Sequence, residues 1–282
     1  MKITILGTAA CEGIPAMFCN CDTCRKAAAL GGRELRTRSQ ALVDDDLLID
    51  FPADTYMHVL REGFDLSRID SLLITHSHPD HLYPDDLTNR DDGLSHNRTA
   101  PKLTVYGSDF VADRLEREFP AHLPLRANVG IRRVKAYEPI AIGKYTVTPL
   151  PAVHTLPPEQ GLLYLIEKGG ETFLYGLDTY FPEDGVTEYL VSHGKKVDIA
   201  CLDCTRGLEE ADKGRHMNAD MVVRLTDLLR KKGVFTAKTA VIATHFSHNG
   251  KALHGDLEAR LGAHGIAVAY DGMKVTTGRQ DE

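Results

Sequence analysis

The chain has 282 residues, 43% of them hydrophobic, enough to bury one large α/β core or two small ones. Its formal charge of −7 argues against a broad electrostatic grip on nucleic acid, so no stable nucleic-acid complex is expected. No apolar run approaches the ~20 residues of a membrane span, and Met1-Lys2-Ile3-Thr4-Ile5-Leu6-Gly7 reads as a strand rather than a leader. A cytoplasmic protein with no membrane partner is the expectation.

In chain order, β-branched runs bounded by Gly, Asp or Pro predict strands at 2–6, 39–43, 46–50, 71–75, 102–106 and 129–135. A strand at 145–151 leads to His154, and 161–167 with 172–177 reads as a hairpin around Lys168-Gly169-Gly170. Strands at 198–202, 239–244, 266–269 and 273–276 complete the set. Helices are expected at 21–30, 52–62, 83–87, 109–119, 182–193, 219–231 and 250–261, the clearest 3.6-residue period lying in 219–229. The polar stretch 85–101, with Asp91-Asp92-Gly93 inside it, reads as a long loop that could act as a lid. Helices and strands interleave with no repeat and no Pro/Ser-rich linker. This predicts one α/β domain over 1–282, two sheets in the middle and helices outside.

The densest chemistry is Thr75-His76-Ser77-His78-Pro79-Asp80-His81, directly after the apolar run Ser71-Leu72-Leu73-Ile74. Three imidazoles and a carboxylate within six residues are more than one ion can use. His76 and His78 leave an extended backbone on the same side. Asp80 and His81 follow where the chain turns, and they can face a second ion. Imidazole nitrogen and carboxylate oxygen suit Zn, Mn or Fe. His154, Asp178 and His245 each follow an apolar strand, and His216 precedes a helix in Gly214-Arg215-His216-Met217. Donors at strand ends along one sheet edge are a common way to assemble a site.

A second cluster is Phe18-Cys19-Asn20-Cys21-Asp22-Thr23-Cys24. Neighbouring cysteines at this spacing fit disulfide geometry poorly, whereas three thiolates converging on one structural zinc with a fourth N or S ligand fit well. Cys201 and Cys204 have CxxC spacing at an apolar strand end and read as small buried residues. His58, His96, His122, His193, His254 and His264 lack partner signals and read as surface or packing residues.

With these residues in this order, the chain resembles the metallo-β-lactamase-fold hydrolases over nearly its whole length, as far as Tyr270-Asp271-Gly272-Met273. The resemblance implies an αββα four-layer sandwich with two divalent ions, Mn, Zn or Fe, at one edge. It implies that His76, His78 and His154 hold one ion, that Asp80, His81 and His245 hold the other, and that Asp178 bridges them. Asp203 then lies near the same edge, in a supporting role. The cysteine run resembles the zinc loop of the cyclic-phosphate phosphodiesterases of bacterial phosphonate (carbon–phosphorus lyase) breakdown and of the pyrroloquinoline-quinone biosynthesis B proteins. From the former, His248 in Thr244-His245-Phe246-Ser247-His248 is implied as fourth ligand beside Cys19, Cys21 and Cys24 of one structural zinc. The chain also departs from relatives. Asp178 stands where the best-known zinc β-lactamases carry cysteine, and His78 where flavin-linked diiron proteins carry glutamate. Asp50-Phe51-Pro52 replaces an Asp-x-Gly step, so Phe51 or Pro52 could reshape the pocket wall.

The function expected is a metal-dependent phosphodiesterase acting on a small nucleotide or sugar phosphate, cyclic or linear, by in-line attack of a hydroxide held between two ions. Asp80 joins the catalytic set through its ion. His216 is expected to protonate the leaving alkoxide, because it precedes a helix whose N-terminal amides favour an anion and because imidazole titrates in the useful range. The alternative is a cofactor-biosynthesis role like that of the quinone-biosynthesis proteins, or another metallo-hydrolase chemistry. A homodimer is suggested by the resemblance alone.

Overall fold

The computed structural model describes residues 1–91, 93–96, 101–119, 128–181 and 184–278. Among these, one seven-stranded sheet runs β14 (Met273–Thr276), β1 (Lys2–Gly7), β2 (Gln40–Val43), β3 (Leu47–Ile49), β4 (Ser71–Leu73), β5 (Leu103–Gly107) and β6 (Val129–Arg133). A second runs β13 (Ile266–Val268), β12 (Ala240–Thr244), β11 (Ile199–Asp203), β10 (Glu171–Gly176), β9 (Leu162–Lys168), β8 (Tyr145–Pro151) and β7 (Ile140–Ile142). The first sheet is antiparallel from β14 through β1 and β2 to β3, and the second from β7 through β8 and β9 to β10. Each is parallel from β3 to β6 and from β10 to β13, where longer crossovers intervene.

Period-two alternation sorts the side chains into layers. In β3, Leu47 and Ile49 join the apolar cluster that also holds Tyr164, Phe173 and Tyr175 of the second sheet, while Leu48 joins a separate cluster with Val111 and Leu115. The first cluster fills the space between the sheets and continues to the helices beyond the second one, with Val222, Leu225, Leu229 and Leu257 among its members. The second lies under α3 (Asp109–Glu118), which packs on β5 and β6. α1 (Asp22–Leu30) and α2 (Thr55–Glu62) also belong to the first half, and α2 packs on β1. On the other side α4 (Asp184–His193), α5 (Ala219–Lys231) and α6 (His254–Leu261) accompany the second sheet. α5 shows why its sequence is helical: Asn218 caps the Met221 amide, Val222, Leu225 and Leu229 fill the buried stripe, and Arg230 and Lys231 face the negative helix end. The result is the four-layer αββα sandwich. No helix among the described residues is long and apolar enough to cross a membrane.

The differences from sequence expectation have local causes. The strand expected over 71–75 stops at Leu73, because the Thr75 amide turns to the Asp50 carboxylate instead of a neighbouring strand. The loop expected over 85–101 starts as a 3-10 helix, Pro84–Arg90, drawn in by Leu87, which is buried in the cluster under α3. Residues 92 and 97–100 of that stretch lie outside the described residues, as do His122 and the first two positions of the helix expected at 182–193. The helix expected from 250 begins at His254, since residues His248–Gly250 form a 3-10 turn and Lys251 takes a left-handed φ of 50°. β7 is an added strand, antiparallel to β8.

Candidate metal centre

The strand ends of both sheets converge on one edge. The segment carrying His76, His78, Asp80 and His81 follows β4, His154 follows β8, Asp178 follows β10, and His245 follows β12. At the ends of β3, β10 and β12 a non-glycine residue takes the left-handed conformation: Asp50 (φ 65°), Asp178 (φ 49°) and His245 (φ 62°). That conformation costs of the order of 1–3 kcal/mol per residue and persists only where surroundings enforce it. Here it turns each side chain off its strand toward the shared edge.

Two donor clusters result. Nδ1 of His78 lies 2.9 Å from Nε2 of His76 and 3.1 Å from Nε2 of His154. In the other, Nε2 of His81 lies 3.3 Å from Nε2 of His245 and 3.4 Å from Oδ2 of Asp80. Asp178 stands between them. Its Oδ2 is 2.5 Å from His81 Nε2, 3.1 Å from His245 Nε2 and 3.6 Å from His76 Nε2, and its Oδ1 is 3.9 Å from His154 Nε2. The seven residues foreseen from the sequence are thus brought together at one edge.

The donor chemistry fits cations. Asp50 engages Nδ1 of His81 at 2.7 Å, which places the ring proton there and turns the Nε2 lone pair on the acceptor oxygens of Asp80 and Asp178. Lone pairs facing lone pairs at this range repel unless positive charge lies among them. Asp178 Oδ2 is buried and, among the described residues, has no hydrogen-bond donor in line with it. Titration reflects the same demand. Burial alone would lower His81, but the Asp50, Asp178 and Asp80 carboxylates raise it well above its ordinary value. Burial would raise Asp178, yet His245, His81 and His154 hold it well below the usual carboxylate range. The donor sets of these buried His/Asp clusters suit divalent metal ions.

Several supporting residues escaped the sequence reading. Asp50 is fully buried, and its Oδ1 also accepts the Thr75 N–H and O–H, both at 2.9 Å. Gln40 Nε2 donates to the Asp50 carbonyl and to Thr55 Oγ1, both at 2.9 Å, so its Oε1 must accept from His58 Nδ1 at 2.6 Å. Glu159 accepts from the amide and hydroxyl of Ser77. Thr205 Oγ1 lies 2.8 Å from His245 Nδ1. A carboxylate ending an apolar strand, as Asp50 does, was the one available sequence signal among these.

His216 is brought to the same edge. Its Nδ1 is 3.0 Å from Asp203 Oδ2, 3.1 Å from Thr205 Oγ1 and 3.4 Å from Asp178 Oδ1, and its ring packs against those of His154 and His245. Burial would lower it, but Asp203 first and Asp178 next raise it to about 9. Asp203, buried at the end of β11, also accepts from the amides of Thr205 and Met217. It therefore holds both the imidazole and the chain that carries it. Cys201 and Cys204 are buried thiols, as the apolar strand end predicted.

The cysteine run forms the second centre. Nδ1 of His248 lies 3.5 Å from Sγ of both Cys19 and Cys21, and Cys24 joins the same donor group. Zn–S near 2.3 Å and Zn–N near 2.0–2.1 Å at a tetrahedral angle require a sulfur-to-nitrogen separation of about 3.5–3.6 Å, so the four residues suit zinc. The Cys24 amide, then His248, lower the Cys21 thiol to about 6, while burial raises Cys24 to about 11. Gly250 abuts Gly207 so closely that a Cβ on either would come within 2.8 Å of the other's backbone. This joins the His248 turn to the loop leading to His216.

Comparison with known proteins agrees with this geometry. A family model described as the beta-lactamase superfamily domain matches residues 48–246. An octanoyltransferase of Porphyromonas gingivalis (strain ATCC BAA-308 / W83) is 30% identical over 173 residues, or 57% of this chain and 32% of that protein. The chain therefore spans about a third of that relative's length. Among solved structures, a diphosphatase from the PhnP family aligns with a TM-score of 0.74 at 25% identity, covering 98% of this chain and 97% of that one. The zinc-bound PqqB of Methylobacterium extorquens (TM-score 0.70, 18% identity, 98% and 100% coverage) shares the fold. So does the short form of human tRNase Z (TM-score 0.67, 16% identity, 99% and 100% coverage).

Proposed function

We infer the function of this chain from its family: it belongs to the beta-lactamase superfamily and is a metallo-β-lactamase-fold hydrolase. Its substrate, on our reading, is a small phosphodiester, cyclic or linear, of a nucleotide or sugar phosphate. One observation carries this reading. Two donor clusters meet at Asp178, and an imidazole held by a buried carboxylate, His216 on Asp203, stands 3.4 Å from the same Asp178.

The chemistry that two divalent ions supply when held by these clusters is polarisation of a phosphoryl oxygen and activation of water at neutral pH. The remaining work falls to the chain. His76, His78 and His154 offer three nitrogens to one position. Asp80, His81 and His245 offer two nitrogens and a carboxylate to the other, and Asp178 faces both. Asp203 keeps His216 protonated and oriented, so that it can stabilise negative charge on the phosphoryl group and deliver a proton to the departing oxygen. Asp50 and Thr205 fix the tautomers of His81 and His245. The Cys19, Cys21, Cys24 and His248 cluster would hold a structural zinc and brace the strand end that carries His245. The net negative charge of the chain favours a small-molecule substrate over a nucleic-acid polymer.

A phosphoanhydride is the second reading, favoured by the 25% identity to a diphosphatase. Both reactions displace an oxygen from phosphorus and use the same groups. The test is hydrolysis by chelator-stripped protein reloaded with Mn or Zn, on bis(p-nitrophenyl) phosphate and on a nucleoside diphosphate ester, with His216→Ala beside the wild type. Metal-restored turnover of the diester that collapses in the variant supports the first reading. Turnover of the anhydride alone supports the second. No turnover of either, in protein shown to hold its ions, overturns both and moves the weight to a cofactor-biosynthesis role.

A further inference from the structure

We propose that Glu159 is the positioning residue of the His76, His78 and His154 cluster, and that it acts on this cluster without acting on the other. The proposal rests on the reading that the cluster holds an ion. Glu159 lies in the loop between β8 and β9, and its side chain is buried. Its Oε1 accepts the Ser77 N–H at 2.7 Å and its Oε2 accepts the Ser77 O–H at 2.8 Å. Ser77 is the residue between His76 and His78. From the opposite side, the Ser77 carbonyl accepts from the Arg114 guanidinium of α3.

The backbone of Glu159 is tied to the segment that follows His154. Thr155, next to that histidine, donates its hydroxyl to the Glu159 carbonyl at 2.9 Å and accepts from the Gly161 amide at 2.8 Å. The Glu159 amide closes the same loop on the Leu156 carbonyl at 3.1 Å. One residue therefore sets the register between two segments far apart in sequence, each of which supplies histidine nitrogens to one point. Among its described hydrogen bonds none reaches an imidazole, so Glu159 is a clamp on backbone and hydroxyl and not a ligand. The cluster of Asp80, His81 and His245 is held separately, by Asp50 and Thr205. A carboxylate suits this task because each of its oxygens can accept one of two donors leaving the same residue.

The experiment measures stepwise zinc affinities by competition with a chromophoric chelator, together with metal content, in wild type, Glu159→Ala, Glu159→Gln, Ser77→Ala and, as a reference, His154→Ala. Loss of a group that orients metal ligands typically costs ~10–100-fold in affinity. Glu159→Ala should show a loss of that size at one step only, the step that His154→Ala abolishes. The other active-site step and the zinc of the cysteine cluster should stay at their wild-type affinities. Glu159→Gln, which still accepts the Ser77 N–H, should recover most of the loss, and Ser77→Ala should show a smaller loss at the same step. If Glu159→Ala does not fold, the Ser77→Ala and Glu159→Gln pair decides. Wild-type affinity at every step, or equal weakening at both active-site steps, overturns the proposal. A wild type with no zinc step that depends on His154 overturns the metal reading instead, so the two failures are distinguishable.

Discussion

Asp50 and His81 form a buried carboxylate–imidazole pair, Oδ2 to Nδ1 at 2.7 Å, at the junction of two parallel strands. The pair exists because Asp50 leaves β3 in the left-handed conformation, with its amide on the Leu73 carbonyl and its carbonyl held by Gln40. It does two things at once. It fixes which nitrogen of His81 faces Asp80 and Asp178, and it satisfies the Thr75 amide at the point where β4 gives way to the histidine segment.

Replacing Asp50 by Asn should therefore lower metal affinity at the His81 cluster by ~10–100-fold, the usual cost of losing such a partner. Asp50→Ala should add a loss of about 1–3 kcal/mol in stability, because the buried Thr75 N–H is left without an acceptor. Chelator competition and denaturant titration read these separately. Wild-type affinity in Asp50→Asn would show that the pair is structural only.

How much of this was legible in the sequence depends on where each residue gets its role. His76, His78, His154, Asp178 and His245 could be read because a metal donor directly after an apolar strand declares both its position and its chemistry. Asp203 and His216 could be placed near the edge, but not paired, since Asp212-to-His216 folding and the β11 end meet only in three dimensions. In the sequence Asp50 shows only as the first residue of Asp50-Phe51-Pro52, a departure from an Asp-x-Gly step. Its partner lies 31 residues away, across a parallel strand pair that no local pattern reveals. Glu159 sits in a polar loop, and only closure of that loop onto Ser77 gives it a function. β7 was missed because Ile140–Ile142 is three residues long and only Ile142 of it is buried.

The Asp203–His216 pair predicts a pH profile. Burial would lower His216, and Asp203 more than offsets this. If protonated His216 is the acid for the leaving group, kcat should fall on the alkaline side as it loses its proton. In Asp203→Asn the largest raising influence is gone, so that limb should move to lower pH, with a smaller plateau. His216→Ala should abolish the limb. A limb that stays in place in Asp203→Asn would assign it to another group.

Metal removal should act selectively at the cysteine cluster. Once zinc is stripped, Cys21, lowered to about 6, is largely thiolate at pH 7, whereas Cys24, raised to about 11, is protonated. Iodoacetamide should then label Cys21 well before Cys24, and zinc should protect both, as read by peptide mass spectrometry. Cys24→Ser should lower the melting temperature by about 5–10 °C if the zinc contributes about 2–3 kcal/mol to a chain of this size. Equal labelling of the two thiols, or no protection by zinc, would argue against a shared site.

His58 makes a prediction for acid stability. It lies on the buried face of α2, with Nδ1 on Gln40 Oε1 at 2.6 Å and Nε2 at 2.7 Å from Thr37 Oγ1, an oxygen that also lies 2.6 Å from Asp271 Oδ2. Burial lowers its pKa from 6.5 to about 4, outweighing the opposing Asp54. Between these values the unfolded chain binds the proton and the folded chain does not. Stability must therefore fall as pH drops from about 6.5 to about 4, and this residue adds no further loss below that. A shift of this size corresponds to roughly 3 kcal/mol at most. In His58→Gln that part of the acid slope should vanish, so the wild type and the variant should converge in stability as pH falls toward 4. Denaturant midpoints of the two proteins at pH 7, 6, 5 and 4.5 decide it. Because the metal ligands are common to both, their protonation cancels in the difference. Parallel curves would mean that His58 is protonated in the fold, with its second N–H donated to Thr37.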